Sequence, residues 1–208
     1  MESSKIAEYL LKIKAVEFRP ERPFTWASGW KSPIYCDNRK TLSYPQVRKA
    51  ITDAFVQRIK SDYPGATAVA GVATGGIAQA ALVADVLDMP MIYVRSKPKG
   101  HGLENMVEGQ LDPNAKYVVI EDLVSTGGSS AKAVSAILDA GGSVVGTISI
   151  FSYGFPQAEA TFAAAGTSYQ PLTTLETMLA KAEEIGYLSV DQMATIQEWS
   201  QSPSTWGT

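Results

Sequence analysis

Residues 117–130 read Y-V-V-I-E-D-L-V-S-T-G-G-S-S, and the fold follows from that stretch. Residues 117–120 form a short apolar run rich in β-branched side chains, the pattern of a strand buried on both faces. Two carboxylates, Glu121 and Asp122, close the run. A Ser-Thr-Gly-Gly-Ser turn follows, and a helical pattern opens over residues 131–140. In a parallel sheet this order sets two acids and a glycine-rich anion cradle at the carboxyl edge of a strand, where open α/β sheets bind ligands. Gly127 and Gly128 remove the Cβ atoms that would hold a guest away from the backbone. Ser125, Thr126 and Ser129 add hydroxyl donors, and the helix behind them directs unpaired N–H groups and its positive dipole end into the turn. The natural guest is a phosphate monoester. Glu121 and Asp122 would repel that phosphate, so they suit ribose hydroxyls, or a Mg²⁺ ion and its waters. Phosphate, ribose and Mg²⁺ within one stretch point to a sugar phosphate rather than a nucleoside triphosphate. The Gly-Lys-Ser/Thr of a P-loop does not follow, and G-x-G-x-x-G does not occur here.

Around this stretch the chain is 208 residues long and 45% apolar, which suits one domain, or one with a small elaboration, around a sizeable core. A net charge of −3 argues against a protein built mainly to bind nucleic acid. A single cysteine, Cys36, excludes an internal disulfide and a cysteine-based zinc site. The start, MESSKIAEYLLKIKAV, lacks the apolar core and cleavage pattern of a signal peptide, and no apolar run is long enough to span a bilayer. A soluble cytoplasmic protein is expected.

Apolar spacing predicts helices over 3–14, 44–60, 77–87, 157–166, 174–185 and 189–200. Strands are predicted over 67–72, 89–94, 143–151 and, at the sheet edge, 169–172. The tail QSPSTWGT is expected to fray. Strands alternating with helices imply an α/β fold with a central parallel sheet flanked by helices. The first strand also runs into a glycine turn, A-T-G-G at 73–76, which serves either as a tight connection or as a second anion site.

Two further segments have no regular period. F-T-W-A-S-G-W-K-S-P-I-Y-C-D-N-R, residues 24–39, reads as short strands joined by turns. It is either an aromatic flap on the core or a cover that stacks Tyr35 or a tryptophan on a planar ring while Lys31 or Arg39 meets an anion. R-S-K-P-K-G-H-G, residues 95–102, opens a mobile basic loop that extends to about residue 109. Such a charge run is a solvated face, or it closes on an anion and stabilises charge that grows there.

V-V-I-E-D-L-V-S-T-G-G-S resembles the phosphoribosyl diphosphate signature of type I phosphoribosyltransferases. The resemblance implies that Ser125, Thr126, Gly127, Gly128 and Ser129 hold the 5-phosphate and that Glu121 and Asp122 face the ribose hydroxyls. Leu123 and Val124 complete the substrate-binding stretch. F-T-x-x-S-G-x-K-S-P-x-Y is similar to the N-terminal hood of orotate phosphoribosyltransferases and brings Lys31 and Tyr35 to the base. The loop resembles the catalytic pattern R-K-x-x-K-x-H-G, with Arg95, Lys99 and His101 matching. Lys99, His101 and Asp122 are then the catalytic set, and Asp122 meets Mg²⁺ indirectly, through substrate or water. In the family the loop reaches into the neighbouring subunit's site, which implies a homodimer.

The implied whole is a single domain over 1–208 with the type I phosphoribosyltransferase fold. Its hood lies mainly at 1–62 with the C-terminal helices, and its core at about 65–172. The implied reaction joins orotate to 5-phosphoribosyl 1-diphosphate in de novo pyrimidine biosynthesis. The alternatives are a purine phosphoribosyltransferase and a non-catalytic regulator. Three lysines found in some relatives are absent, with Ala27, Gly75 and Ser96 in their places, and no arginine follows Arg95 to meet a substrate carboxylate.

Overall fold

The structure is a computed structural model that describes residues 2–26, 29–97 and 106–207. Helix α1 (Glu2–Lys12) buries Ile6, Ala7, Leu10 and Leu11 along one stripe, the spacing its sequence predicts. Four short strands follow: β1 (Val16–Phe18), β2 (Phe24–Thr25), β3 (Lys31–Ser32) and β4 (Ile34–Cys36). β1 pairs antiparallel with β4, and β2 with β3, so the irregular aromatic segment is built as two small ribbons. A 3₁₀ helix (Asn38–Ser43), for which the sequence carried no signal, leads into α2 (Pro45–Asp62). Pro45 sits in the first turn of α2, where its missing N–H costs nothing.

The rest of the chain alternates. The elements are β5 (Ala68–Val72), α3 (Gly75–Leu87), β6 (Met91–Val94), β7 (Val107–Glu108), β8 (Lys116–Val124), α4 (Gly128–Asp139), β9 (Ser143–Ser152), α5 (Pro156–Ala164), β10 (Tyr169–Thr174), α6 (Leu175–Glu184) and α7 (Val190–Gln201). Six strands make one sheet in the order β10-β9-β8-β5-β6-β7. All neighbours are parallel except β6 and β7. The antiparallel edge corrects the sequence reading, which placed residues 107–108 inside an irregular loop; Tyr93 and Val94 pair with Glu108 and Val107.

β8 lies in the middle, and the pleat divides its side chains. Val118 and Ile120 face α3 and join the core that α1, α2 and α6 also build, whereas Tyr117 and Val119 pack with Val134 and Ile137 of α4. Burial on both faces is why the sequence there is a continuous apolar run. The strand does not stop at Ile120, however. Pairing with β9 continues through Glu121↔Ser149 and Leu123↔Phe151 to Val124↔Ser152, so the two acids belong to the strand itself. A Ser189 capping box opens α7 and the Thr174 side chain caps α6, which shortens both predicted helices by a residue at the start.

The tail does not fray. Pro203 is buried and Trp206 packs on the main core, while Gly207 lies against the Lys31 side chain. The partner is the hood, because α7 brings Trp199 under it. Trp199 is fully buried, its Nε1–H donates to the Lys31 carbonyl at 3.1 Å, and its ring meets Trp26, Tyr153 and Phe155 at 5.6–5.7 Å. Among the described residues no helix is long and apolar enough to cross a membrane. Trp199→Ala is expected to cost about 3–5 kcal/mol, the usual penalty for emptying a large buried aromatic site. Urea unfolding measures it, and a loss below 1 kcal/mol would show that α7 does not hold the hood down.

Candidate active site

The site begins where β8 runs out of partners. Past Val124 the chain turns, and Gly127 takes φ +81° as the cap before α4. A side chain at Gly127 would be strained by that angle and would press on the Phe162 ring. The turn and the start of α4 enclose a cavity of about 340 Å³ lined by residues 123–130 and Lys132. Orphan N–H groups of the first turn of α4 face this cavity with no acidic side chain in its lining, the electrostatics an anion needs. Lys132, near the start of α4, leans back towards the helix N-terminus, as side chains on a helix do, and adds a cation.

The two acids diverge, because neighbours on a strand point to opposite faces. Glu121 is 5% exposed; its Oε2 accepts from the Ser130 hydroxyl and its Oε1 from the Asp122 N–H, both at 2.9 Å. Burial, then the neighbouring Asp122 charge, holds the Glu121 carboxyl well above the usual carboxylate range. Asp122 is half-buried on the other side, against the first turn of α3. A Cβ on Gly75 would collide with the Asp122 carboxyl, so glycine at this position leaves the acid its place. The carboxylate there meets the positive end of the α3 dipole, a contact worth about 0.3–1 kcal/mol. The Asp122 carbonyl accepts from Asn38 Nδ2 at 2.6 Å, which ties the 3₁₀ helix of the hood to the acid strand.

A second cleft, of about 820 Å³, opens between hood and sheet. Trp26, Trp30, Tyr35 and Cys36 form one wall and Tyr153 the floor. Its other wall is made by Leu123, Ser125, Thr126 and Ser129, which also line the anion cavity. The two spaces are therefore contiguous: an anion cradle at one end and an aromatic box at the other. That is the shape of a nucleoside monophosphate.

Comparison with known proteins agrees with that shape. The sequence pattern of the phosphoribosyl transferase domain matches residues 40–161. Over 202 residues the chain is 52% identical to an orotate phosphoribosyltransferase of Porphyromonas gingivalis, covering 97% of this chain and 96% of that one. The chain belongs to the phosphoribosyl transferase family, in its orotate phosphoribosyltransferase branch. A Listeria innocua orotate phosphoribosyltransferase is 48% identical over 203 residues, 98% of this chain and 97% of that one. The crystal structure of orotate phosphoribosyltransferase from Aeropyrum pernix superposes with a TM-score of 0.75 at 30% identity, covering 88% of this chain and 99% of that one. As a member of the family the chain is an enzyme of the glycosyl-transfer class.

Of the residues singled out in the sequence, Leu123, Val124, Ser125, Thr126, Gly127, Gly128 and Ser129 all line the anion cavity. Tyr35 lines the base cleft, 40% exposed, with its ring 5.3 Å from Phe24. Lys31 reaches only the rim, where its Nζ donates to the Thr25 hydroxyl at 2.9 Å. Arg39 is turned to Asp37, at 2.7 Å. Arg95 pairs with Glu108 on β7, at 3.3 Å. Glu121 departs most from the reading that both acids face ribose: it is buried beneath the turn and steadies it through Ser130. Ala27, Lys99 and His101 lie outside the described residues. Sequence reasoning missed Asn38 and Lys132. Lys132 has a signal, a basic residue at the start of the helix behind a glycine turn; Asn38 has none, since its partner is 84 positions away.

Because folding raises the Glu121 pKa above its ordinary value of 4.5, the native state keeps a proton that the unfolded chain gives up above that pH. This contribution to stability is complete below pH 4.5 and is lost as pH rises towards the folded value. Glu121→Gln, neutral throughout, is expected to melt higher than the parent at neutral pH, with the gap closing on acidification. Melting curves across pH measure this, and a pH-independent gap would contradict it.

Proposed function

We propose that the chain joins orotate to 5-phosphoribosyl 1-diphosphate, giving orotidine 5′-monophosphate and diphosphate. The observation that carries this reading is the shared wall of the two clefts, where Leu123, Ser125, Thr126 and Ser129 face the anion cavity on one side and the aromatic box on the other. A ribose bridging the two spaces lies along that wall. The turn amides and the Ser125, Thr126 and Ser129 hydroxyls bind the 5-phosphate and set the distance from there to C1. The base lies in the box against Tyr35 and the tryptophans; its N1 forms a bond to C1 as the C1–O bond breaks, the bond's electron pair leaving with diphosphate and the N1 proton passing to the diphosphate or to water.

Breaking runs ahead of making, so positive charge gathers on the ribose ring. Asp122 holds the ribose hydroxyls and stabilises that charge. In the free enzyme its carboxylate occupies the mouth of α3; diphosphate arriving at the same N–H groups repels it towards the ribose. Among the described residues no three acids, histidines or cysteines cluster as a protein-only metal cage. One accessible carboxylate at the mouth of an anion site fits Mg²⁺ carried mainly by substrate oxygens and water. Bound there, the ion neutralises part of the diphosphate charge. Lys99 and His101, with Arg95 at the root of their loop, assist the departing diphosphate. The enzyme works in the cytoplasm as a homodimer whose subunits share this loop. Residues 1–62 with the C-terminal helices form the hood, and about 65–172 the core.

Purified protein mixed with 5-phosphoribosyl 1-diphosphate, Mg²⁺ and orotate is expected to consume orotate, read as loss of its absorbance. Lys99→Ala and Asp122→Asn are each expected to lower kcat by about a hundredfold or more. Turnover of a purine in place of orotate would overturn the assignment of the base. Tight phosphoribosyl diphosphate binding without turnover of any base would show a regulator instead.

A further inference from the structure

The aromatic cleft has to recognise an anionic base, yet none of its described lining residues carries a charge. Lys31, the nearest cation on the hood ribbon, is engaged with Thr25 at the rim. One lining group is conspicuously unspent. Tyr153 is 5% exposed and lines the cleft, and its only hydrogen bond among those between described residues is made by its backbone N–H, not its hydroxyl. The fully buried side-chain atoms left unpaired among the described residues are Asn38 Oδ1, Gln79 Oε1 and Thr147 Oγ1, so the Tyr153 hydroxyl is not sealed in the core and is open to a ligand in the cleft that it lines.

The ring is held where it is. Its backbone N–H is fixed to the Val124 carbonyl at 3.2 Å. The side chain is clamped by Trp26 at 5.1 Å, Phe151 at 5.2 Å, Phe155 at 5.4 Å and Trp199 at 5.6 Å, centroid to centroid. Phe155 stacks nearly parallel to it and the others tilt or meet it edge-on. Burial first, then the Cys36 and Tyr35 groups in the hood wall, raise the Tyr153 pKa well above that of an ordinary tyrosine. The hydroxyl is therefore a neutral donor on a residue that lines the cleft.

We propose that Tyr153 is the specificity residue of the base cleft, its hydroxyl donating a hydrogen bond to the carboxylate of the pyrimidine. A carboxylate is the strongest acceptor the proposed substrate offers, and a charge-assisted bond from a rigid donor in an aromatic box both orients the ring and selects for the acid. The assignment rests on orotate being the acceptor base. It also gives the cleft a way to bind an anion without an arginine after Arg95 or a lysine at position 27.

Tyr153→Phe tests this, because it keeps the ring and its four aromatic contacts and removes only the hydroxyl. The KM for orotate is expected to rise roughly ten- to a hundredfold, the range for a lost hydrogen bond to a charged group. The KM for 5-phosphoribosyl 1-diphosphate and the melting temperature are expected to stay unchanged. Competition binding separates the carboxylate from the ring: the affinity for orotidine 5′-monophosphate is expected to fall by the same factor. That for uridine 5′-monophosphate, which lacks the carboxylate, is expected to hold. An unchanged orotate KM would overturn the proposal. Equal losses for both nucleotides would overturn it too, since they would mean that the hydroxyl supports the ring or the fold. A parent enzyme that ignores orotate but turns over another base would instead sink the assignment of the substrate.

Discussion

One rung of the sheet holds the site together. Val124 of β8 stands opposite Ser152 of β9, and the Val124 carbonyl accepts the N–H of Tyr153 at 3.2 Å. On one side of that rung the chain leaves β8 into the anion turn; on the other it leaves β9 through Tyr153 into the base cleft. The distance between the anion cavity and the aromatic cleft is thus set by backbone pairing in the middle of the sheet, where strands buried on both faces permit little slippage. A slip of one residue would send the acids to each other's faces and break both ends of the site at once.

The hood is joined to this frame by polar contacts as well as by aromatic packing. Asn38 is 1% exposed and donates to the Asp122 carbonyl; Thr41 donates to the Asn38 carbonyl at 2.6 Å and accepts from Gln79 of α3 at 3.2 Å. This chain of bonds crosses from hood to acid strand to the helix at whose mouth Asp122 sits. Buried bonds of this kind are directional, which apolar packing is not, and a broken member leaves an unpaired group inside. Asn38 Oδ1 and Gln79 Oε1 are already buried without a partner among the described residues, so the network has no slack. Its effect is to set where the hood closes over the strand end.

Much of this was legible in the sequence, for reasons that can be stated. The continuous apolar run at 117–120, the glycine turn and the following helix pattern announce a central parallel strand with an anion site at its end, because each is a local property. Helices 44–60 and 77–87 and the edge strand from residue 169 follow from spacing in the same way, to within a few residues. What was not legible depends on partners far along the chain. Glu121 and Asp122 look equivalent in sequence, and only pairing with Ser149 and the packing of Ser130 decide that one is buried and the other open to the cleft. The tail looked frayed because nothing local holds it, yet Pro203 and Trp206 pack down where α7 meets the hood. Gly75 reads as a missing lysine until the Asp122 carboxyl is seen to fill the space beside it.

The Asn38 bond to the Asp122 carbonyl joins the hood to the acid strand, and through it the hood is expected to act on the chemistry. A double-mutant cycle on kcat/KM for 5-phosphoribosyl 1-diphosphate, with Asn38→Ala, Asp122→Asn and the pair, tests it directly. If Asn38 works by placing Asp122, its substitution slows the parent but adds little once the carboxylate is gone, a coupling of about 1 kcal/mol or more. Losses that simply add would mean that Asn38 holds the hood for some other purpose, and would contradict the account.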